Sequence, residues 1–263
     1  MLAIMVYPGG KNGAGVYQTI INLMPPHDVY IEPFLGGGAI MRQKRPAALN
    51  IGVDLDAAVI VRFDDERAAD IAGNSDASGS TAANGDARST FRFQHGDGFA
   101  FLQSYPFTGS ELVYCDPPYM HETRGRTDLY RYEMDDRQHA ELLAIIKALP
   151  CRVMISGYWT KRYAAALKGW NTATFQAMTR GGRTATEWLW FNFPEPIALH
   201  DYRYLGEDFR QRERIKRKKQ RWVNRLHTMP TLERRALLNA IGEAWDLDLA
   251  PAETAIPASP GLY

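Results

Sequence analysis

The sequence predicts an α/β protein built on a mixed sheet of about seven strands, with a basic helical extension at its C-terminal end. Three observations carry that expectation. Short apolar, β-favouring runs alternate with stretches of helical periodicity, the pattern of a sheet covered by helices. One run, Leu112 to Cys115, stops abruptly at Asp116-Pro117-Pro118-Tyr119, where two prolines forbid continuation as strand or helix. Beyond Pro196 the composition turns basic: ten Lys or Arg face three acids between Arg203 and Arg225, in a chain whose net charge is only +1.

Near the N-terminus, Tyr7-Pro8-Gly9-Gly10-Lys11 is a glycine-rich turn carrying one aromatic ring and one cation. A helix is expected from about Ala14 to Leu23, stopped by Pro25-Pro26. Val29 to Glu32 reads as a short strand that runs into Pro33-Phe34-Leu35-Gly36-Gly37-Gly38, after which Ala39 to Gln43 resumes as helix. Strand, glycine turn and helix form the ligand-binding end of a Rossmann-like unit. The spacing is not Gly-x-Gly-x-x-Gly, which argues against a dinucleotide. A second strand, about Asn50 to Val53, ends in Asp54, an acid placed to bind ribose hydroxyls.

From Ala68 to Thr90 the residues are small and polar without periodicity, and a flexible insert is expected over about 64–90. Phe91 to Gln94 is the next strand and leads to Asp97, an acid placed to reach the adenine part of a cofactor. The Leu112 to Cys115 strand then leaves the Asp116 carboxylate at its carboxyl end, where open α/β sheets bind ligands. His121 to Asp135 is polar and loop-like, with Arg124, Arg126, Tyr130 and Tyr132.

A helix from about Arg137 to Leu149 aligns Leu142, Leu143, Ile146 and Leu149, with Asp135 or Asp136 as its cap. Arg152 to Ser156 is a strand. Thr172 to Met178 and Thr186 to Asn192 make an antiparallel pair through the turn Thr179 to Arg183. The expected organisation is a domain over 1–200 and an extension over 201–263, which holds a partly amphipathic basic helix densest at Lys216-Arg217-Lys218-Lys219, and a second helix from Leu232 to Trp245.

Two cysteines in strand-like runs, Cys115 and Cys151, point to a reducing compartment rather than a disulfide framework or a cysteine-bound zinc. Six scattered histidines show no metal-ligand spacing. No signal peptide and no apolar run of about 18 residues is present, so a cytoplasmic protein without metal or membrane span is expected.

With these parts in order, the chain resembles the S-adenosylmethionine-dependent N6-adenine DNA methyltransferases, specifically the Dam-type alpha group. The resemblance rests on Tyr7-Pro-Gly-Gly-Lys11, Glu32-Pro-Phe-Leu-Gly-Gly-Gly38, Asp54, Asp116-Pro-Pro-Tyr119 and the late Glu187-Trp-Leu-Trp-Phe-Asn192, across residues 7–193. It implies a Rossmann-like methyltransferase domain acting on DNA, with Asp116, Pro117, Pro118 and Tyr119 as catalytic residues. It also implies a cofactor pocket lined by Tyr7, Lys11, Asp54 and Asp116. Lys11 suits the methionine carboxylate and Asp54 the ribose. The turn Gly36 to Gly38 lets the backbone approach the methionine part, and Phe34 and Asp97 are further cofactor-binding candidates. Glu32 acts on the methionine amine or caps the turn after it.

The same geometry serves N4-cytosine methylation, and a DNA-binding homologue without turnover is the rival outside enzymes. One departure from the group is plain: only eighteen residues separate Asp97 from Asp116, too few for the usual target-recognition domain. Recognition is then expected to rest on the His121 to Asp135 segment with Arg124, Arg126 and Tyr130, on the Thr179 to Arg183 turn, or on the basic segment with Lys216, Arg217, Lys218 and Lys219, or else to be very relaxed. A small enzyme so reduced suits a phage or prophage that masks its own DNA, or a restriction-modification pair.

Overall fold

The computed structural model describes residues 11–13, 15–74, 89–123, 132–178 and 184–245. Seven strands form its sheet: β1 (Val29–Glu32), β2 (Leu49–Asp54), β3 (Thr90–His95), β4 (Glu111–Cys115), β5 (Arg152–Gly157), β6 (Asn171–Met178) and β7 (Thr184–Phe191). Eight α-helices are interspersed: α1 (Val16–Ile21), α2 (Ala39–Gln43), α3 (Ala57–Asn74), α4 (Gly98–Ser104), α5 (Asp136–Ala148), α6 (Lys161–Ala166), α7 (Phe209–Thr228) and α8 (Thr231–Trp245).

The strands lie in the order β3-β2-β1-β4-β5-β7-β6. All neighbours from β3 to β5 are parallel, and β7 runs antiparallel to both β5 and β6. The fold is therefore the α/β, Rossmann-like mixed sheet that the sequence predicts. Strand composition follows strand position. Every residue of the central β4 is buried, as expected for a strand covered on both faces, whereas the edge strand β3 has none buried. Two apolar layers enclose the sheet. Ile20, Tyr30, Ile40, Phe63 and Tyr114 belong to one, and Ile31, Val113, Leu142, Ile146 and Ile155 to the other.

From β1 the chain moves outward through β2 to β3, then returns to place β4 on the other side of β1. This reversal opens a crevice at the carboxyl ends of β1 and β4, the usual ligand position of such sheets. Both sequence segments singled out above, Pro33 to Gly38 and Asp116 to Tyr119, leave the sheet at that end.

One expectation is corrected. Residues 64–74, assigned by composition to a flexible insert, continue α3. Val59, Ile60 and Phe63 anchor its first turns in the core, and Ala68, Ala69 and Ala72 are strong helix formers that extend it. Residues 75–88 of the insert lie outside the described residues. Besides α3, two helices had no counterpart in the sequence reading. Both are short and depend on a cap: Asp97 accepts from the Phe99 N–H at the start of α4, and Thr160 accepts from the Tyr163 N–H at the start of α6.

The chain divides into two compact units, Met1–Phe209 and Arg210–Tyr263. Residues just past 200 stay with the first because they are tied to it. The His200 N–H donates to the Met24 carbonyl, Asp201 accepts from the Arg45 N–H, and Arg203 donates to the Gln43 carbonyl. The second unit has helices but little interior: no residue of α7 is buried, and Gly242 alone is buried in α8.

Candidate active site

Asp116 follows immediately on β4, and its carboxylate is held from two directions. Lys11 Nζ donates to both oxygens, at 2.7 and 2.8 Å. Ser156, near the end of β5, donates to Oδ1 at 2.8 Å. The register that pairs Cys115 with Ile155 sets Ser156 beside Asp116. The Ser156 proton is committed to Asp116, so the Tyr114 hydroxyl, 3.0 Å from Ser156 Oγ, donates to it in turn. A buried relay, Tyr114 to Ser156 to Asp116, thus sets the carboxylate's rotamer.

Lys11 is also within 2.7 Å of the Tyr119 hydroxyl and 3.4 Å of Glu187 Oε2, and Tyr119 donates to Glu187 at 2.6 Å. Burial works against the charge on Lys11, which is 3% exposed, but Asp116 and Glu187 outweigh it and raise its pKa. The ammonium therefore stays charged at physiological pH, an ion bridging two carboxylates. Burial, then the charges of Asp116 and Glu187, holds the Tyr119 phenol protonated. Its ring is 6% exposed and packs edge-on against Tyr158 at 4.9 Å. Cys115 is fully buried and burial pushes its thiol up, so it is core and no nucleophile.

Beside this cluster lies a cleft of about 350 Å³. Phe34, Gly36, Asp54, Asp97, Phe99, Asp116 and Pro118 line it, as do Tyr132, Glu133 and Met134 from the end of the polar segment before α5. Asp54 accepts from the Gly36 N–H at 2.7 Å through one oxygen and from the Asp56 N–H at 2.8 Å through the other. Burial raises the pKa of Asp54. Phe34 and Phe99 meet edge-to-face at 5.9 Å. Gly98 permits their approach, since a Cβ there would fall 2.2 Å from the Pro33 carbonyl oxygen. Gly38 opens α2 from the left-handed region at φ 55°, a conformation other residues rarely adopt.

The structure thus brings Phe34, Gly36, Asp54, Asp97, Asp116 and Pro118 together around one cleft. It takes Lys11 elsewhere, into the Asp116–Tyr119–Glu187 cluster, and Glu32 into the interior. Glu32 accepts from the Tyr30 hydroxyl at 2.8 Å and from the Met41 N–H at the start of α2, which is the turn-capping role. Tyr7, Arg124, Arg126, Tyr130 and the Thr179 to Arg183 turn lie outside the described residues. Sequence reading passed over Ser156 and Tyr114. A lone serine ending the apolar run Val153-Met154-Ile155 was the available signal, legible only once β5 is known to neighbour β4. Asn192 closes the late motif structurally: it accepts from the Val153 N–H and donates to the Cys151 carbonyl, pinning the start of β5. Among the described residues there is no group of three or more potential metal ligands, and no helix is long and apolar enough to cross a membrane.

Two substitutions test these placements. Burial lifts Glu32 from the ordinary 4.5 to about 8. Between those values the native state binds the extra proton, so the contribution is present below about pH 4.5 and is lost as pH rises toward 8. Glu32→Gln keeps an acceptor for Tyr30 and removes the ionisation. Its Tm relative to wild type is expected to climb by several degrees between pH 5 and pH 8, read by thermal melts; parallel curves would reject the assignment. Ser156→Ala frees the Asp116 rotamer and strands the Tyr114 hydroxyl. A stability loss of about 1–3 kcal/mol is expected, read by thermal or denaturant melts.

No protein-family profile matches the sequence, and no curated protein sequence matches it significantly. Among solved structures, the chain is similar to a magnesium protoporphyrin IX methyltransferase from Synechocystis PCC 6803 with bound SAM, at 14% identity and TM-score 0.41 over 68% of this chain and 76% of that one. It is similar to an rRNA methylase from Streptococcus thermophilus, at 9% identity and TM-score 0.41 over 67% and 93%. A third is a dimethyladenosine transferase from Plasmodium falciparum, at 10% identity and TM-score 0.42 over 69% and 62%. Identities this low carry no residue roles to this chain.

Proposed function

We propose that the protein transfers a methyl group from S-adenosylmethionine to the N6 amino group of adenine in DNA. The observation that supports this reading most is the position of Asp116-Pro117-Pro118-Tyr119. The segment leaves β4 at the crevice beside β1, and Asp116 lies between the Lys11–Ser156 clamp and the cleft.

The residues present fit the cofactor. Each Asp54 oxygen accepts one backbone N–H and keeps a lone pair for a ribose hydroxyl. Phe34 and Phe99 offer apolar faces for an adenine ring, and Asp97, partly committed to capping α4, is the second acid of the cleft. When bound, the cofactor supplies an electrophilic methyl group on a sulfonium.

The chain's own residues act on the nucleophile. An exocyclic amine conjugated to a purine is a poor nucleophile because its lone pair is spread into the ring. The Asp116 carboxylate and the Pro117 carbonyl accept hydrogen bonds from its two N–H groups, which localises the lone pair and stabilises the positive charge that develops as the nitrogen takes the methyl and the sulfonium becomes a thioether; the methylated nitrogen then loses one proton to solvent. No covalent intermediate is required, consistent with the burial of Cys115. Lys11 and Ser156 are positioning residues that hold the Asp116 carboxylate aimed. The target base leaves the duplex to reach this point. Tyr119 stacks on it only if its ring first turns away from Tyr158.

The test is methylation of unmethylated genomic DNA with labelled S-adenosylmethionine, followed by nucleoside analysis and mapping of the modified bases. N6-methyladenine that disappears with Asp116→Ala is the expected result. N4-methylcytosine would move the reading to the other exocyclic amine. Cofactor binding without product from the wild type would overturn turnover altogether.

A further inference from the structure

Seen along its axis, α7 separates its charges more sharply than its composition suggests. The helix carries nine Lys or Arg and a single acid, Glu213. At 3.6 residues per turn, Arg210, Arg214, Arg217, Lys218, Arg221 and Arg225 fall within an arc of about 100° and run for about 22 Å. All six are exposed. Glu213 lies off this arc and is paired with Lys216 at 4.0 Å. On the opposite side are Ile215, Trp222, Val223 and Leu226.

A merely solvated helix places acids three or four residues from its cations. Here only Glu213, three residues from Arg210 and four from Arg217, meets that pattern, and the ridge's own spacings otherwise set cation beside cation: Arg210 with Arg214, Arg214 with Arg217 and Lys218, Arg217 and Lys218 with Arg221, and Arg221 with Arg225. Each such like-charge pair destabilises the helix in isolation. An extended, regularly charged polyanion removes that cost. A membrane surface fits less well, because Arg212 and Lys219 interrupt the apolar side and would have to enter the lipid.

We propose that this ridge docks on the phosphate backbone of duplex DNA. The inference rests on the proposed activity for its choice of polyanion, and it moves the contact off Lys216 and Lys219, the two ends of the sequence's densest basic run. The ridge is one-sided and rod-like, so it binds without reading bases, and it recruits DNA for a catalytic unit that lacks the usual recognition domain.

The experiment compares two pairs that remove equal charge: Arg214→Gln with Arg221→Gln on the ridge, and Lys216→Gln with Lys219→Gln off it. Duplex binding is measured without cofactor as a function of salt, with helicity checked by circular dichroism. Neutralising two phosphate contacts is expected to lower the slope of log affinity against log salt by about 2, and the off-ridge pair by well under 1. Arg214→Lys with Arg221→Lys should keep the wild-type slope. Equal effects from the two Gln pairs, or tight binding to anionic-lipid vesicles with none to DNA, would overturn the ridge. Duplex binding with the expected slopes but no methyl transfer would leave the ridge standing and overturn the activity, so the two failures are distinguishable.

Discussion

Asp116→Asn is expected to lower the single-turnover rate of methyl transfer by about 10²–10³-fold, the range seen when one aligned electrostatic group is lost from a reaction centre. Asparagine has nearly the same shape and keeps one oxygen. That oxygen can still accept from Lys11 or from Ser156, which now converge on Asp116 from two sides. What disappears is the negative charge that would balance the cation forming on the amine, together with one acceptor. The amide NH₂ must also face one of two donors, which drives the side chain from its present rotamer. Cofactor affinity should change by less than tenfold, because Asp54 and the aromatic walls of the cleft are untouched. Rapid-quench measurement at saturating substrate separates these terms. A rate within tenfold of wild type would remove Asp116 from the chemistry.

The largest effect on stability is expected from Lys11→Met. The Lys11 ammonium contacts Asp116 and Glu187, with side-chain exposures of 3% for the lysine, 23% for Asp116 and 6% for Glu187. Removing one partner of a buried ionic cluster leaves charge without compensation, at a cost of about 3–5 kcal/mol. Met fills much of the volume, so packing is not the cause. Adding Glu187→Gln removes one of the opposed charges and should recover a substantial part of the stability without restoring the rate. Thermal melts of the two single variants and the double provide the cycle. Additive losses would show that Lys11 and Glu187 do not act as a unit.

The parts of this site were unequally legible. Asp54, Asp97 and Asp116 could be found because each follows a strand-like run, and a strand's end is a local event written in consecutive residues. Phe34 and Gly36 were legible for the same reason, through the turn after β1. Lys11 was recognised as important, but its partner was not. The expectation placed it at a cofactor carboxylate, whereas the structure gives it Asp116, 105 residues away. Nothing in the local sequence encodes that distance. Ser156 reaches Asp116 only because β5 hydrogen-bonds beside β4 in one register. The error over residues 64–74 has a different origin. Small residues were taken for flexibility, although alanine is the best helix former and the preceding turns were anchored.

The sequence by itself determined the alternation of strands and helices, the breaks at proline and glycine, the acids at strand ends and the charge of the last helices. These follow from backbone sterics and from the periodicity with which apolar residues recur, both short-range properties of the chain. Only the tertiary structure decided which ends meet. The order β3-β2-β1-β4-β5-β7-β6 opens the crevice, draws Lys11 across to Asp116, sets Ser156 behind it and turns Glu32 inward. Pairing between distant strands and the burial of charge depend on the whole sheet, so no single stretch of residues contains them.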